Sequence, residues 1–512
     1  MIKERALGNL LDAGFPYSRC LLGHSSCVNT LAFSNGDGRF LASGGDDLKI
    51  QLYDFQQEDL NRPSWSFVGP MSNVFSLAFS ANNTHLYCGT TGHKLYKYDL
   101  ATLRDVSQFP ISPIDMLDDH DDTIRDVTCH PSQSELAMTA SEDGRIVLRD
   151  SRIDARRPSA QATLQNDSEV TGVRWNPRME SLFATSDNRG RVCLRDVRTA
   201  FGSGANRTRK PLQQFVTSLS KPTRNSLVSP ESSSIAWDRE DYRSHCLYPT
   251  FSLKTHNLGL TSTTQNFYPT LYALSDPHPI AICRGGVLPD GSPIPDGERT
   301  YSNACTIKHG SFGGPSLTSD AYYGAGSDDF RGYVWKIPET AMLLERRREI
   351  DVDSWLLEEA ETAAFARSAR ETRYQPVSLS QPLFRLNGHM SIVNSVLFHP
   401  SLLHIVTAGI ERHVILHSPT KSSPCTEELT LTPTTVRSLP AGSAEDHSRL
   451  IQAIASGLGT NDMEEDAETI ALFDEIIRTE GEGRDVFSSR ECDESEDEDE
   501  GASESDEDTR WY

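Results

Sequence analysis

The residues with the most chemical promise are His24 with Asp47 and His120 with Asp143, two histidine–aspartate pairs at the same interval in the chain. An imidazole beside a carboxylate can act as a general base. The same pairing also lets two buried polar groups satisfy each other. Asp329 and His389 fall at corresponding places further along, and this recurrence favours scaffold hydrogen bonds over a dyad. The run Asp118-Asp119-His120-Asp121-Asp122 offers ligands that suit a divalent ion. It lacks turn glycines and ligand spacing, so it reads as a charged loop around a repeat histidine. Cys27 and Cys305 read as small core residues rather than nucleophiles. No Walker, HExxH, GxSxG or calcium-loop motif occurs. No catalytic residue, cofactor or metal site is assigned, and the chain reads as a non-enzyme.

The elements that would position these residues are strands. From Gly23-His24 to Tyr53-Asp54 the chain alternates apolar and polar (Val28, Leu31, Phe33), turns at Asn35-Gly36-Asp37-Gly38, and continues through Leu41–Gly45 to a strand closing on Tyr-Asp. Alternation between turn signals means antiparallel strands, and a unit of about forty residues with this signature is a WD repeat, one propeller blade. Tyr53 stands where the repeat usually has Trp. Further copies end in Tyr98-Asp99, Arg149-Asp150 and Arg195-Asp196, with Arg189 replacing the turn Asp in the fourth. The fifth is split between SIAWD and PTLYALSDPHPIAICR, the sixth ends on Trp335, and the seventh puts His417 in the Trp position.

These readings give an all-β chain, a seven-bladed WD40 β-propeller over 18–420 with Ser18–Leu22 as the outer strand of the last blade. A Ser/Pro/Arg-rich stretch at about 202–234 reads as a disordered loop. Its Arg207, Arg209, Lys210, Lys221 and Arg224 lack the stacking aromatics that single-stranded nucleic acid would need. The segment at about 339–374 reads as a helical insertion, with Val352, Trp355, Leu356, Ala360, Ala363 and Ala364 near helical spacing. A linker follows over 421–460, then a short helix over 461–481 with Ile470, Phe473, Ile476 and Ile477 on one face. Either helical segment could serve a partner or cover the propeller's own side.

The net charge of −24 is concentrated near the end, since Glu491–Asp508 alone carries about half of it. The region 482–512 therefore reads as a disordered acidic tail. Its sign argues against wholesale nucleic-acid binding. No apolar run of membrane-spanning length and no secretory leader is seen, and the ten scattered cysteines suit reduced thiols in an intracellular protein.

Two consecutive repeats continue beyond their closing strand as Asp-x-Arg: Arg149-Asp150-Ser151-Arg152 and Arg195-Asp196-Val197-Arg198. Two guanidiniums at one blade edge would suit carboxylates or carbonyls of a partner, and an internal Asp–Arg pairing is the alternative. These boxes resemble the WDxR box of receptors that bind the damaged-DNA-binding-protein-1 adaptor of cullin-4 ubiquitin ligases, with Arg149 and Arg195 where Trp is usual. Together with GSDDFRGYVWKIP, LNGHMSIVNSVLFHP, SPTKSSPCTEEL and ETIALFDEIIRTE, the chain resembles the cullin-4-associated factor family. That resemblance implies a non-catalytic substrate receptor of a cullin-4 RING ligase, partnered by the adaptor, the cullin and a protein target. It also implies nuclear work, with the cytoplasm left open. A ubiquitin-independent scaffold for chromatin or complex assembly, acting through the acidic tail, is the rival reading.

Overall fold

The computed structural model describes residues 9–10, 13–103, 109–153, 161–201, 210–224, 226–238, 259–264, 266–314, 321–360, 362–423, 426–439, 462–481 and 486–487. Seven antiparallel sheets form the blades of a WD40 β-propeller. Strands a to d of blade 1 are Val28–Phe33, Phe40–Gly45, Ile50–Asp54 and Trp65–Phe67. Blade 2 comprises Val74–Phe79, His85–Thr90, Leu95–Asp99 and Asp115–Leu117, and blade 3 comprises Ile124–Cys129, Leu136–Ser141, Arg145–Asp150 and Gln161–Gln165. Blade 4 follows with Val170–Trp175, Leu182–Asp187, Val192–Asp196 and Gln213–Gln214. Blade 5 is built from Ser232–Trp237, Gly259–Thr264, Thr270–Ala273 and Asp276–Cys283, with Val377–Leu379 added parallel to the last. Blade 6 uses Ser311–Gly313, Tyr322–Gly326, Gly332–Lys336 and Phe384–Leu386.

Blade 7 takes Val393–Phe398, Ile405–Gly409 and Glu411–Ser418 from one end of the ring and Tyr17–Leu21 from the other. The pairing runs from Tyr17 opposite Ser418 to Leu21 opposite Val414, so the strand expected at Ser18–Leu22 fastens the two ends. The innermost strands touch one another in sequence around the ring, and Val28–Phe33 of blade 1 meets Val393–Phe398 of blade 7. Each blade is too thin to bury both faces alone, so its apolar side chains are completed by its neighbour. Leu21, Val28, Leu41 and Tyr53 pack with Val406, Val414 and Leu416 across the closure.

Two segments differ from the sequence expectation. The stretch read as a disordered loop at about 202–234 holds ordered strands, including the outer strand of blade 4 and Leu219–Ser220. Its Phe215, Val216, Leu219 and Val228 are buried, and these apolar residues stand isolated in a polar context that masked them. Positions 202–209 and 225 lie outside the described residues. The insertion is helical only at α2 (Thr340–Arg346) and α3 (Val352–Trp355); the earlier α1 is the single turn Val197–Ala200 after blade 4. Ala364–Phe365 and Arg373–Gln375 are instead strands, joined to Arg348–Ile350 and Leu219–Ser220 in a small side sheet. The near-helical spacing there arises from Trp355 and Ala364 meeting in one small core, not from a continuous helix.

Four buried histidines sit in blade 7: His389, His399, His404 and His417. The Nδ1 of His399 accepts the amides of Ser401 and Leu402 at 3.1 and 3.0 Å, so it cannot also carry a proton without losing both. Burial holds His399 and His417 down to about 3 and His404 to about 4. The unfolded chain therefore binds more protons below pH ~6.5, so stability is full above that pH and falls as pH drops toward 4. Each of these three neutral histidines contributes a slope of about 1.4 kcal/mol per pH unit in this window. The urea midpoint is expected to fall between pH 7.5 and 5.5, and His399→Asn, which keeps an acceptor, should flatten that dependence. Leu21 is fully buried at the closure, so Leu21→Ala should cost about 2–5 kcal/mol in the same measurement.

Candidate protein-interaction site

Strand c of blades 1 to 4 ends on an aspartate, and each carboxylate accepts the backbone amide two residues on: Asp54 from Gln56, Asp99 from Ala101, Asp150 from Arg152 and Asp196 from Arg198. This local side-chain bond turns the chain sharply out of the strand. Only in blades 3 and 4 does the residue so placed carry a guanidinium. Arg152 folds back onto Asp150, with Nη2 2.6 Å from Oδ2, and Arg198 does the same to Asp196 at 2.5 Å. Hydrogen bonding from Arg152 and Arg198 holds both carboxyls below the ordinary range, and the two guanidiniums are correspondingly raised. The arginine side chains nonetheless remain 60% and 77% exposed. The aspartates consume one side of each planar fork and leave the other for solvent or a partner. Asp196 also caps the first turn of α1, and the amide of Val197 bonds the carbonyl of Ser181. The exposed Met179, in the turn just before Ser181, adds an apolar group that sequence reading missed.

Arg149 and Arg195 do not belong to this surface, which corrects their assignment to a binding box. They are 4% and 8% exposed and take the interior position usually held by Trp. Arg149 makes a two-pronged pair with Asp119. The Nε of Arg195 donates to Thr185 at 3.3 Å and its Nη2 to Asn166 at 3.1 Å. Asn166 stands where blade 4 would carry its histidine, and Arg189 stands where it would carry its turn aspartate.

The histidine–aspartate pairs lie at the opposite rim. His24 donates from Nδ1 to Asp47 at 3.0 Å, and its Nε2 is 2.7 Å from the Ser43 hydroxyl. His120 repeats this with Asp143 at 2.9 Å and Thr139 at 2.7 Å. Burial alone would raise Asp47 and Asp143, but the imidazole bonds and a backbone amide to each more than offset it, leaving both carboxyls lowered. In blade 7 His389 bonds Glu411 instead of an aspartate, then Thr407, which meets His417 at 2.9 Å. Gly23 and Gly388 precede their histidines with φ of +155° and +112°; a Cβ on Gly23 would come within 2.8 Å of the Tyr53 hydroxyl.

In blade 6 Asp329 holds the turn position, since Phe330 follows it with φ +70° as Leu48 follows Asp47 and Gly144 follows Asp143, but the carboxylate that takes the neighbouring amide is that of Asp328. Asp328 receives the amide of Ala304 at 2.6 Å and the buried Lys308 ammonium at 2.6 Å, as Asp47 receives the amide of Ser25. Asp329 is committed to Tyr333 and Arg331. Which of two adjacent aspartates takes which partner leaves no trace in the sequence.

The acids around His120 diverge: Asp119 meets Arg149, Asp121 meets Arg145 and Asp118 meets His93. Among the described residues no cluster of three or more His, Cys, Asp or Glu could hold a metal ion, and no helix is long and apolar enough to cross a membrane.

The WD domain, G-beta repeat family matches residues 16–54, 111–150 and 380–418, each unit beginning near an outer strand and ending on a strand c. Over 490 residues, 91% of this chain, the sequence is 27% identical to DDB1- and CUL4-associated factor 5 of Mus musculus and 26% identical to that of Homo sapiens. The WD repeat protein iqw1 of Schizosaccharomyces pombe is 36% identical over 94 residues, 18% of this chain and 11% of that protein. The chain spans about two fifths of the length of the two factor 5 relatives, 41% in each case. This chain is a WD40-repeat protein that resembles DDB1- and CUL4-associated factor 5.

The burial contrast gives a direct test. Arg149→Leu leaves Asp119 buried without its cation and should destabilise by about 3–5 kcal/mol. Arg152→Ala, at an exposed edge, should leave the urea midpoint where it is.

Proposed function

We propose that this chain is a non-catalytic substrate receptor that joins the DDB1 adaptor of a cullin-4 RING ubiquitin ligase to protein targets. The observation that carries this reading is the repetition of one arrangement in consecutive blades. Arg152 and Arg198 occupy equivalent positions, each oriented by the preceding aspartate and each exposed. An arginine already fixed by an internal carboxylate loses little rotamer freedom on binding, so more of each new hydrogen bond appears as affinity. Met179 supplies apolar surface at the same edge, where interfaces need an anchor beside their charged groups. The similarity to the two factor 5 relatives over most of the chain supports the same assignment. In this role the ring holds proteins in place and performs no bond chemistry of its own, and it works in the nucleus.

The test is recovery of the adaptor with the tagged full chain. Arg152→Glu combined with Arg198→Glu should reduce recovery by at least tenfold while the urea midpoint stays unchanged, because neither residue is interior. Undiminished recovery would remove the two arginines from the interface.

A further inference from the structure

The rim opposite Arg152 and Arg198, formed by the turns around Cys27, Phe330, Ile392 and Ile410, carries a segment of the chain itself. Helix α4 (Asp462–Ile476) and the wider turn Ile477–Gly481 lie across it. Ile477 is buried in an apolar floor made by those four residues, and Phe473 packs onto the same floor. Phe473 also lines the mouth of a central chamber of about 440 Å³ whose wall includes Asp46, Arg125 and Glu231. The carboxylate of Asp474, 4% exposed, receives Arg437 from two nitrogens at 2.8 and 2.6 Å. Phe330 is flanked by the guanidiniums of Arg437 and Arg299 at 4.5 and 4.1 Å from its ring centre.

A second contact lies further on. Val486 and Phe487 are buried with Val216, Leu219, Val228 and Phe365, and the Lys221 ammonium sits 4.8 Å from the Phe487 ring. This corrects the expectation that the whole of 482–512 is a disordered tail; the rest of that range, and 441–461, lie outside the described residues. Ile477 and Phe487 both line one groove of about 900 Å³, bordered by Lys221, Arg284 and Arg299 and by the acids Glu298, Asp328, Asp329 and Glu359.

The seat therefore has an apolar floor and a border of mixed charge in which Arg437 meets the helix's Asp474, and its occupant is an acidic amphipathic helix. A lid that only sealed an apolar rim would be at least as stable with an apolar residue in place of Asp474. A buried ion pair adds little net stability but discriminates strongly between partners. We propose that this face is a docking surface for an acidic amphipathic helix of another protein. The pattern recognised is aromatic–acid–x–x–aliphatic, as in Phe473, Asp474 and Ile477, and the chain's own helix holds the seat until such a partner displaces it. The proposal rests on the receptor reading only in making that partner a ubiquitination target. A tethered occupant competes at an effective concentration of about a millimolar, so its release should raise affinity for an outside helix sharply.

The experiment uses the full chain and a fluorescein-labelled peptide of residues 462–487 as the probe. Asp474→Lys, which sets the chain's own helix against Arg437, should bind the peptide at least tenfold more tightly than the unaltered chain. Phe473→Ser with Ile477→Ser should do the same without changing charge. Adding Arg437→Glu to either released chain should return binding to the unaltered level. Equal affinity of the unaltered and both released chains overturns the proposal. Loss of the folded ring in both would equally overturn it, because the helix would then be part of the core. Adaptor recovery by the same chains reports on the receptor reading separately. Peptide gain without adaptor leaves the docking surface and removes that reading, whereas adaptor without peptide gain removes the docking surface alone.

Discussion

The ring depends on one hydrogen-bond donor per blade, placed at one register position. In every blade the second residue of strand b, or its equivalent, faces this donor on strand c: Leu41 and Tyr53, Leu86 and Tyr98, Ala137 and Arg149, Phe183 and Arg195, Leu260 and Tyr272, Tyr323 and Trp335, Ile405 and His417. Tyr53, Tyr98, Tyr272 and Trp335 donate to the carbonyls of Leu22, Val68, Val216 and Arg284, on the chain outside their blades' four strands. Arg149, Arg195 and His417 find side-chain partners instead. Side chains of such different shape can share a position because its requirement is polar: a buried acceptor must be met wherever a connection passes beneath the next blade.

That constraint also separates the two rims. Strand c runs from the turn that holds Asp47 or Asp143 to the end that holds Asp150 or Asp196, so the scaffold bonds and the Asp-x-Arg corners emerge on opposite faces. One face thereby presents Arg152 and Arg198, while the other is floored by Phe330, Ile392 and Ile410 and carries the chain's own helix. Closure by Tyr17–Leu21 keeps the two faces in fixed relation.

Much of this was legible in the residues. Alternation, turn glycines and recurring Gly-His and Asp positions specify strands and their order, because a strand's side-chain period is fixed by local geometry. The same reasoning located Tyr53, Tyr98, Trp335 and His417 at matching places, and it found the two Asp-x-Arg corners. It failed where the deciding contact lies far away in sequence. Val216 and Leu219 look like stray apolar residues in a polar loop until Phe365 and Phe487 arrive to cover them, and Phe215 until it meets Tyr272. Glu411 acquires its role only because His389 reaches it.

The amino-acid sequence alone determined that the chain is built of repeated antiparallel sheets, since periodicity and turn chemistry act within a few residues. Only the tertiary structure decided which arginines face outward. Arg149 and Arg152 differ by three positions and carry the same charge, yet Asp119 holds one inside the blade while the Asp150 corner turns the other to solvent. The same applies to the helix at 462–476, whose apolar face is plain in the residues but whose seat exists only once blades 1, 6 and 7 have closed around it.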